Sequence, residues 1–166
     1  MTFADLAAGS SVFLDANTFV YHFAPHPIFR AACDQLLDRI ECQDLLGYTS
    51  THVLTEVAHR LMTFEAAALP GWPSSKVTQR LKHQPAVIQG LTRFRTAIES
   101  ILSSRIQVLT IAPPLTALGT IASQQAGLLS NDALIVALMQ ANGLTDIASH
   151  DSDFDRVPGL TRYSPA

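Results

Sequence analysis

Short apolar runs alternate with longer stretches of helical period along this chain. Residues 11–15, Ser-Val-Phe-Leu-Asp, combine β-branched and aromatic side chains in a run that predicts a buried strand with Asp15 at its C-terminal end. Residues 17–24 read as helix until Pro25 and Pro27 interrupt it. Residues 28–43 carry Ile28, Ala31, Ala32, Leu36, Leu37 and Ile40 at amphipathic spacing, which predicts a second helix. A strand at 45–49 and a helix at 51–67 follow, the latter capped by Ser50 or Thr51. Residues 69–75, Leu-Pro-Gly-Trp-Pro-Ser-Ser, break regular structure, and Pro85 limits the next helix. Helix returns at 91–103, strand at 106–111, and helix again after Pro113-Pro114, which suit a first turn. Ser130 is placed as the cap of a helix ending near Gly143, before strands at 146–149 and 160–163.

This alternation predicts an α/β fold, a mainly parallel sheet flanked by helices, in a single domain over residues 1–166. About residues 68–90 form a loop and helix insertion standing off the core. With 166 residues, 48% of them apolar, there is material for one core and little for two. No apolar stretch reaches the roughly 18 residues of a membrane span, and the start Met1-Thr2-Phe3-Ala4-Asp5 lacks the basic opening of a signal peptide. The expectation is a soluble, cytoplasmic protein. Cys33 and Cys42 match neither a zinc spacing nor a disulfide, and are read as reduced packing residues.

A net charge of −3 argues against nucleic-acid binding through overall positive charge, but the charge is unevenly placed. Lys76, Arg80, Lys82, Arg93, Arg95 and Arg105 sit within residues 76–105 beside the single acid Glu99. Such a segment can hold a phosphate backbone, or can be an ordinary solvated face.

Four segments place acids where an apolar element ends or a helix begins. They surround Asp15, Glu56, Asp132, and the turn of Asp151, Asp153 and Asp155. Carboxylates gathered with few cations repel unless a divalent metal neutralises them, so the pattern implies Mg²⁺ or Mn²⁺ and a phosphate substrate. In an open parallel sheet, ligands bind beyond the carboxyl ends of the strands, where Asp15 and Asp151 are expected. Each acid also has a plainer explanation. Asp15 suits a helix cap and Glu56 a surface pair with Arg60; Asp132 suits the helix dipole and the last three suit turn chemistry. Glu56 falls roughly 60° beyond an apolar arc of Val53, Phe64, Val57, Leu61, Leu54 and Ala58, at the rim of the core. Asp132 opens a stretch, Ala133 to Met139, apolar all round and therefore buried.

The segments Phe13-Leu14-Asp15-Ala16-Asn17-Thr18-Phe19-Val20-Tyr21, Asn131-Asp132-Ala133-Leu134-Ile135-Val136-Ala137 and Ser149-His150-Asp151-Ser152-Asp153-Phe154, with Glu56 on the helix after the second strand, resemble the PIN domain. Within it they resemble the VapC-type ribonuclease toxins. The four motifs occur in order and cover nearly the whole chain. The resemblance implies a doubly wound sheet, a Mg²⁺-binding set of Asp15, Glu56, Asp132 and Asp151, Asp153 as a further member, and Asn17 and Ser149 as polar supports. It also implies an RNA substrate, an antitoxin partner and a homodimer. Residues 70–89 look like an insertion relative to that family, and His150 and Ser152 stand where it usually has a basic or another polar residue.

The chemistry expected is metal-assisted phosphodiester hydrolysis, with Asp15, Glu56, Asp132, Asp151 and Asp153 catalytic and Arg80, Lys82, Arg93 and Arg95 on the RNA. One competitor is a haloacid-dehalogenase-type phosphatase with Asp15 as nucleophile; it needs an acid where Asn17 stands and a Lys after Lys82, and neither is present. A zinc site of His52, Glu56 and His59 has the wrong motif order. A non-catalytic module binding RNA or protein has no reason to retain four acids.

Overall fold

The computed structural model describes residues 1–24, 26–72 and 75–166. Pro25, Pro73 and Ser74 lie outside that range, and with them part of the chain breaks expected at 25 and at 69–75. Successive side chains of a strand face opposite sides of a sheet, so a strand apolar at every position suits only a central place covered on both faces. β1 (Ser11–Leu14) is such a strand from its second residue on, with Val12, Phe13 and Leu14 fully buried.

The chain runs on through α1 (Ala16–Phe23), α2 (Arg30–Glu41), β2 (Leu46–Ser50) and α3 (Thr51–Ala67). Two short helices follow, α4 (Val77–Leu81) and α5 (Pro85–Gly90), then α6 (Arg93–Ser103) and β3 (Gln107–Leu109). It closes with α7 (Pro113–Ala126), α8 (Ser130–Ala141), β4 (Asp146–Ala148) and β5 (Thr161–Tyr163). The five strands are all parallel in the order β3-β2-β1-β4-β5, with Phe13 level with Tyr48 on one side and Ile147 on the other. The chain leaves β1 toward β2 and later returns on its other side at β4. That reversal opens a crevice beyond the carboxyl ends of β1 and β4.

Most expected elements are present within a few residues, and the departures have local causes. Ile28 is exposed, because α2 begins only at Arg30; the Phe29 N–H is held by His26 Nδ1 at 3.1 Å in a turn that keeps residues 27–29 out of the helix. The buried stripe of α2 is therefore Cys33, Leu36 and Ile40. Cys42 is exposed at the end of that helix and packs no core, unlike Cys33. Ser50 caps α3, accepting the Val53 N–H at 3.1 Å. Ser130 does not cap α8: Leu129 holds the cap position without a side-chain bond, and Ser130 is the first helical residue. Gly47 is required by close approach, since a Cβ there would stand 2.8 Å from Ile40 Cδ1.

The main core gathers around Phe13, Phe19, Leu36, Leu61, Leu138, Ile147 and Phe154. A second, smaller cluster joins Ala66, Val77, Leu81 and Leu91, with Met62, Trp72, Val87 and Ile88 around it. It secures α4 and the chain beyond it to the far end of α3. Phe64, assigned to the apolar arc of α3 by its period, is half exposed instead, on a groove it shares with His59, Val77 and Thr78. Among the described residues, no helix is long and apolar enough to cross a membrane.

Candidate functional site

Asp15 follows β1 directly, and its backbone N–H donates to Ala148 O of the neighbouring strand at 3.1 Å. Its carboxylate caps α1, with Oδ1 accepting the Ala16 N–H at 2.7 Å. The cap explains only one oxygen. Oδ2 accepts the Asn17 amide at 3.1 Å and the Ser149 hydroxyl at 2.7 Å. Burial pushes the Asp15 carboxyl upward; the Ser149 and Ala16 hydrogen bonds pull it back, Glu56 raises it and Arg60 lowers it.

Ser149, wholly buried just after β4, links two of the acids. While donating to Asp15, its Oγ accepts the Asp151 N–H at 3.0 Å. Asp151 in turn accepts the Asp153 N–H on Oδ1 at 2.9 Å, capping a short 3-10 turn, Ser152–Arg156. Asp153 pairs with Arg156 at 2.9 Å. Asp155 turns away into a two-pronged pair with Arg162, both contacts at 2.8 Å, and this holds its carboxyl below the usual range. Arg162 also reaches the Ser149 carbonyl, at 3.3 Å.

Glu56 lies on α3, one turn before Arg60 and 3.6 Å from it. Arg60 is not an ordinary surface partner, because its Nη1 also donates to Asn17 Oδ1 at 2.6 Å. The period of α3 placed Glu56 at the core rim and, by the same geometry, would have placed Arg60 beside it.

Asp132 sits in the first turn of α8, whose next residues Ala133 and Ile135 to Met139 are buried. Its carboxyl is pushed up to about 6, first by burial and then by the negative fields of Asp151, Asp15, Glu56 and Asp153. All five acids therefore share one electrostatic neighbourhood. They do not close on a common point: among the described residues, no three His, Cys, Asp or Glu side chains are gathered tightly enough to hold a metal ion, which applies equally to His52, Glu56 and His59.

Arg80 and Lys82 lie on and at the end of α4, and Arg93 and Arg95 on α6. The Arg80 guanidinium stands 4.7 Å over the Trp72 ring and donates to Gly71 O at 3.1 Å, so the partly buried Trp72 is an element of the second cluster. Lys82 ends α4, and Arg93 opens α6 with its N–H on Glu65 at 2.9 Å. Arg95 pairs with Glu99 at 3.2 Å, both exposed. The rings of Tyr21, Phe29 and His150 also meet beside the acids, a contact no sequence period predicts because the three come from separate segments.

Comparison with solved structures gives the same fold at low identity. VapBC2 from Rickettsia felis, solved with a DNA fragment from its promoter, matches with a TM-score of 0.58 at 19% identity, over 93% of this chain and 98% of that one. VapC20 of Mycobacterium tuberculosis, a sarcin-ricin loop cleaving toxin, matches with a TM-score of 0.58 at 16% identity, over 87% and 92%. The DNA-bound VapBC of Salmonella typhimurium matches with a TM-score of 0.55 at 15% identity, over 94% and 98%. No curated protein is similar enough in sequence to be matched. The family model for the PIN domain matches residues 12–160, and with this match and the all-parallel sheet the chain belongs to the PIN domain family.

Proposed function

We propose that this protein is a Mg²⁺- or Mn²⁺-dependent endoribonuclease that hydrolyses RNA phosphodiester bonds, acting as the toxin of a toxin–antitoxin pair. One observation carries the reading: the Asp132 carboxyl is pushed up to about 6, first by its burial and then by the negative fields of Asp151, Asp15, Glu56 and Asp153. A group that pays this repulsion in the free protein is suited to a cation and to little else.

The donor set fits such an ion. It consists of hard carboxylate oxygens, loosely spaced, and Mg²⁺ binds through one or two carboxylates while keeping several waters. When bound, the metal would neutralise the acids and activate water for attack on phosphate. Asp15, Asp132 and Asp151 would hold it. Glu56 would hold it or orient the attacking water, and Asp153 would add negative charge at the edge. Asn17 and Ser149 keep Asp15 turned into the crevice through their bonds to Oδ2. Arg80, Lys82, Arg93 and Arg95 would take the RNA backbone. The phosphatase alternative is weaker, because Asn17 donates to Asp15 and accepts from Arg60, leaving it no proton-transfer role.

The toxin assignment is supported by structural neighbours solved as VapBC complexes and by the sarcin-ricin loop cleaving toxin among them. An antitoxin would block the acidic crevice, and a cytoplasmic homodimer is the expected form. The deciding experiment incubates purified protein with defined RNAs, with and without Mg²⁺. Internal cleavage that stops in EDTA supports the reading; cleavage indifferent to EDTA, or none on any RNA, rejects it.

A further inference from the structure

The rings of Tyr21, His26, Phe29 and His150 form one continuous aromatic patch. His26 and Phe29 stack at 4.7 Å and 9°, and Phe29 meets His150 at 4.6 Å. Tyr21 stands 4.4 Å from His26, 5.2 Å from Phe29 and 6.0 Å from His150, the last edge-on. Core packing accounts for only part of the group: Tyr21 packs against the main core, but all four residues keep solvent exposure and two of them are imidazoles. The patch is held in place from both ends. The Phe29 N–H on His26 Nδ1 pins the turn, and His150 is carried between Ser149 and Asp151, whose own bond is 3.0 Å.

Its location gives the patch a use. His150 interrupts the acidic motif itself, and Tyr21 lies on α1, the helix that Asp15 caps. Burial pushes the Tyr21 hydroxyl up, and the charges of Arg60 and Asp15 also act on it. A cavity lined by His26, Pro27, Arg30, Ala31 and Asp34 opens beside the rings. His150 directly precedes Asp151, so a chain whose phosphodiester lies against Asp151 would carry a neighbouring nucleotide past this patch. Unpaired RNA bases are recognised chiefly by stacking on such rings, with imidazole nitrogens available to base edges.

We propose that Tyr21, His26, Phe29 and His150 form a base-stacking subsite that takes one unpaired nucleobase flanking the scissile phosphate. This rests on the ribonuclease reading and adds to it: the substrate is single-stranded beside the cut. Phe29 is the central ring, since it touches all three others.

The test uses short single-stranded RNAs, intact or with one base removed at each position in turn. Cleavage of the intact RNA by wild-type protein in Mg²⁺ is scored first, and its absence rejects the ribonuclease reading independently of the subsite. Affinity is then measured in EDTA, where the chain should stay uncut. Wild type should lose about 5- to 150-fold when the base at one position is missing, the range of a single base–aromatic stack. Phe29→Leu should bind intact and base-deleted RNA equally, and Phe29→Trp should keep the discrimination. A structural role for Phe29 would weaken both RNAs alike. Wild type that cuts RNA yet shows no base effect at any position, or Phe29→Leu with an undiminished effect, would overturn the subsite.

Discussion

Arg60 donates to Asn17 Oδ1 at 2.6 Å, across 43 positions of sequence, and so dictates which end of the Asn17 amide meets Asp15. With its oxygen occupied, Asn17 can only donate toward Asp15, which it does at 3.1 Å. Arg60→Met removes that constraint and a cation that lowers the Asp15 carboxyl. We expect kcat to fall about tenfold, the scale of one charged hydrogen bond, and the acid limb of the pH–rate profile to move to higher pH. An unchanged limb would reduce Arg60 to a partner of Glu56 alone.

Asp132→Asn should abolish cleavage and stabilise the fold. A carboxyl raised from the ordinary carboxylate range to about 6 favours its neutral form in the folded state, so stability is lost as pH rises through that window. Removing the charge should therefore raise stability above pH 6, by about 1–2 kcal/mol once solvent screening of this partly exposed group is allowed for. Below about pH 4 the gain should vanish. Denaturant melts at pH 7.5 and pH 4 measure both limits, and equal gains at both would point to a cause other than charge.

Ser149→Ala removes two bonds at once. Asp15 loses a donor and the half-buried Asp151 N–H loses its acceptor. The expected cost is about 1–3 kcal/mol of stability, together with a rise in the Asp15 carboxyl visible as an acid limb moved to higher pH. Loss of stability with an unaltered pH–rate profile would make Ser149 a packing residue only.

Charge reversal at Arg80 and Lys82 should weaken RNA binding and flatten its salt dependence, while Mg²⁺ titration of the acids is unaffected. Arg80 carries a second risk, since it lies over Trp72 and holds Gly71 O. Lys82→Glu alone is the cleaner variant. If salt slope and affinity both match wild type, the basic segment is a solvated face and RNA binds elsewhere.

Divalent metal should raise the melting temperature more at pH 7.5 than at pH 5, because below about 6 Asp132 is largely neutral and the ion must displace its proton. An equal shift at both pH values would place the ion away from Asp132.

The sheet was legible because its strands are short, apolar and punctuated, and Asp15 and Asp151 followed from their places after β1 and β4. What could not be read was lateral. Ile28 fits the α2 period, yet His26 ends the turn differently; Phe64 fits the α3 period, yet that helix outruns the core it was assigned to. Cys42 and Ser130 were misplaced by a residue or two at helix ends, where neighbouring residues compete for the cap. The bonds of Arg60 to Asn17 and of Arg162 to the Ser149 carbonyl are illegible for another reason: each joins separate elements.

The bonds around Asp15 leave an uneven inventory. A carboxylate offers about four lone pairs; Oδ2 has spent two, on Asn17 and Ser149, and Oδ1 one, on Ala16. A single seat on Oδ1 remains. If Asp15 holds the proposed cation, a proton would contend with it for that seat, and the apparent affinity for a divalent ion should drop roughly tenfold for each pH unit below the Asp15 pKa. Acid sufficient to protonate Asp15 would then disarm the site without any partner.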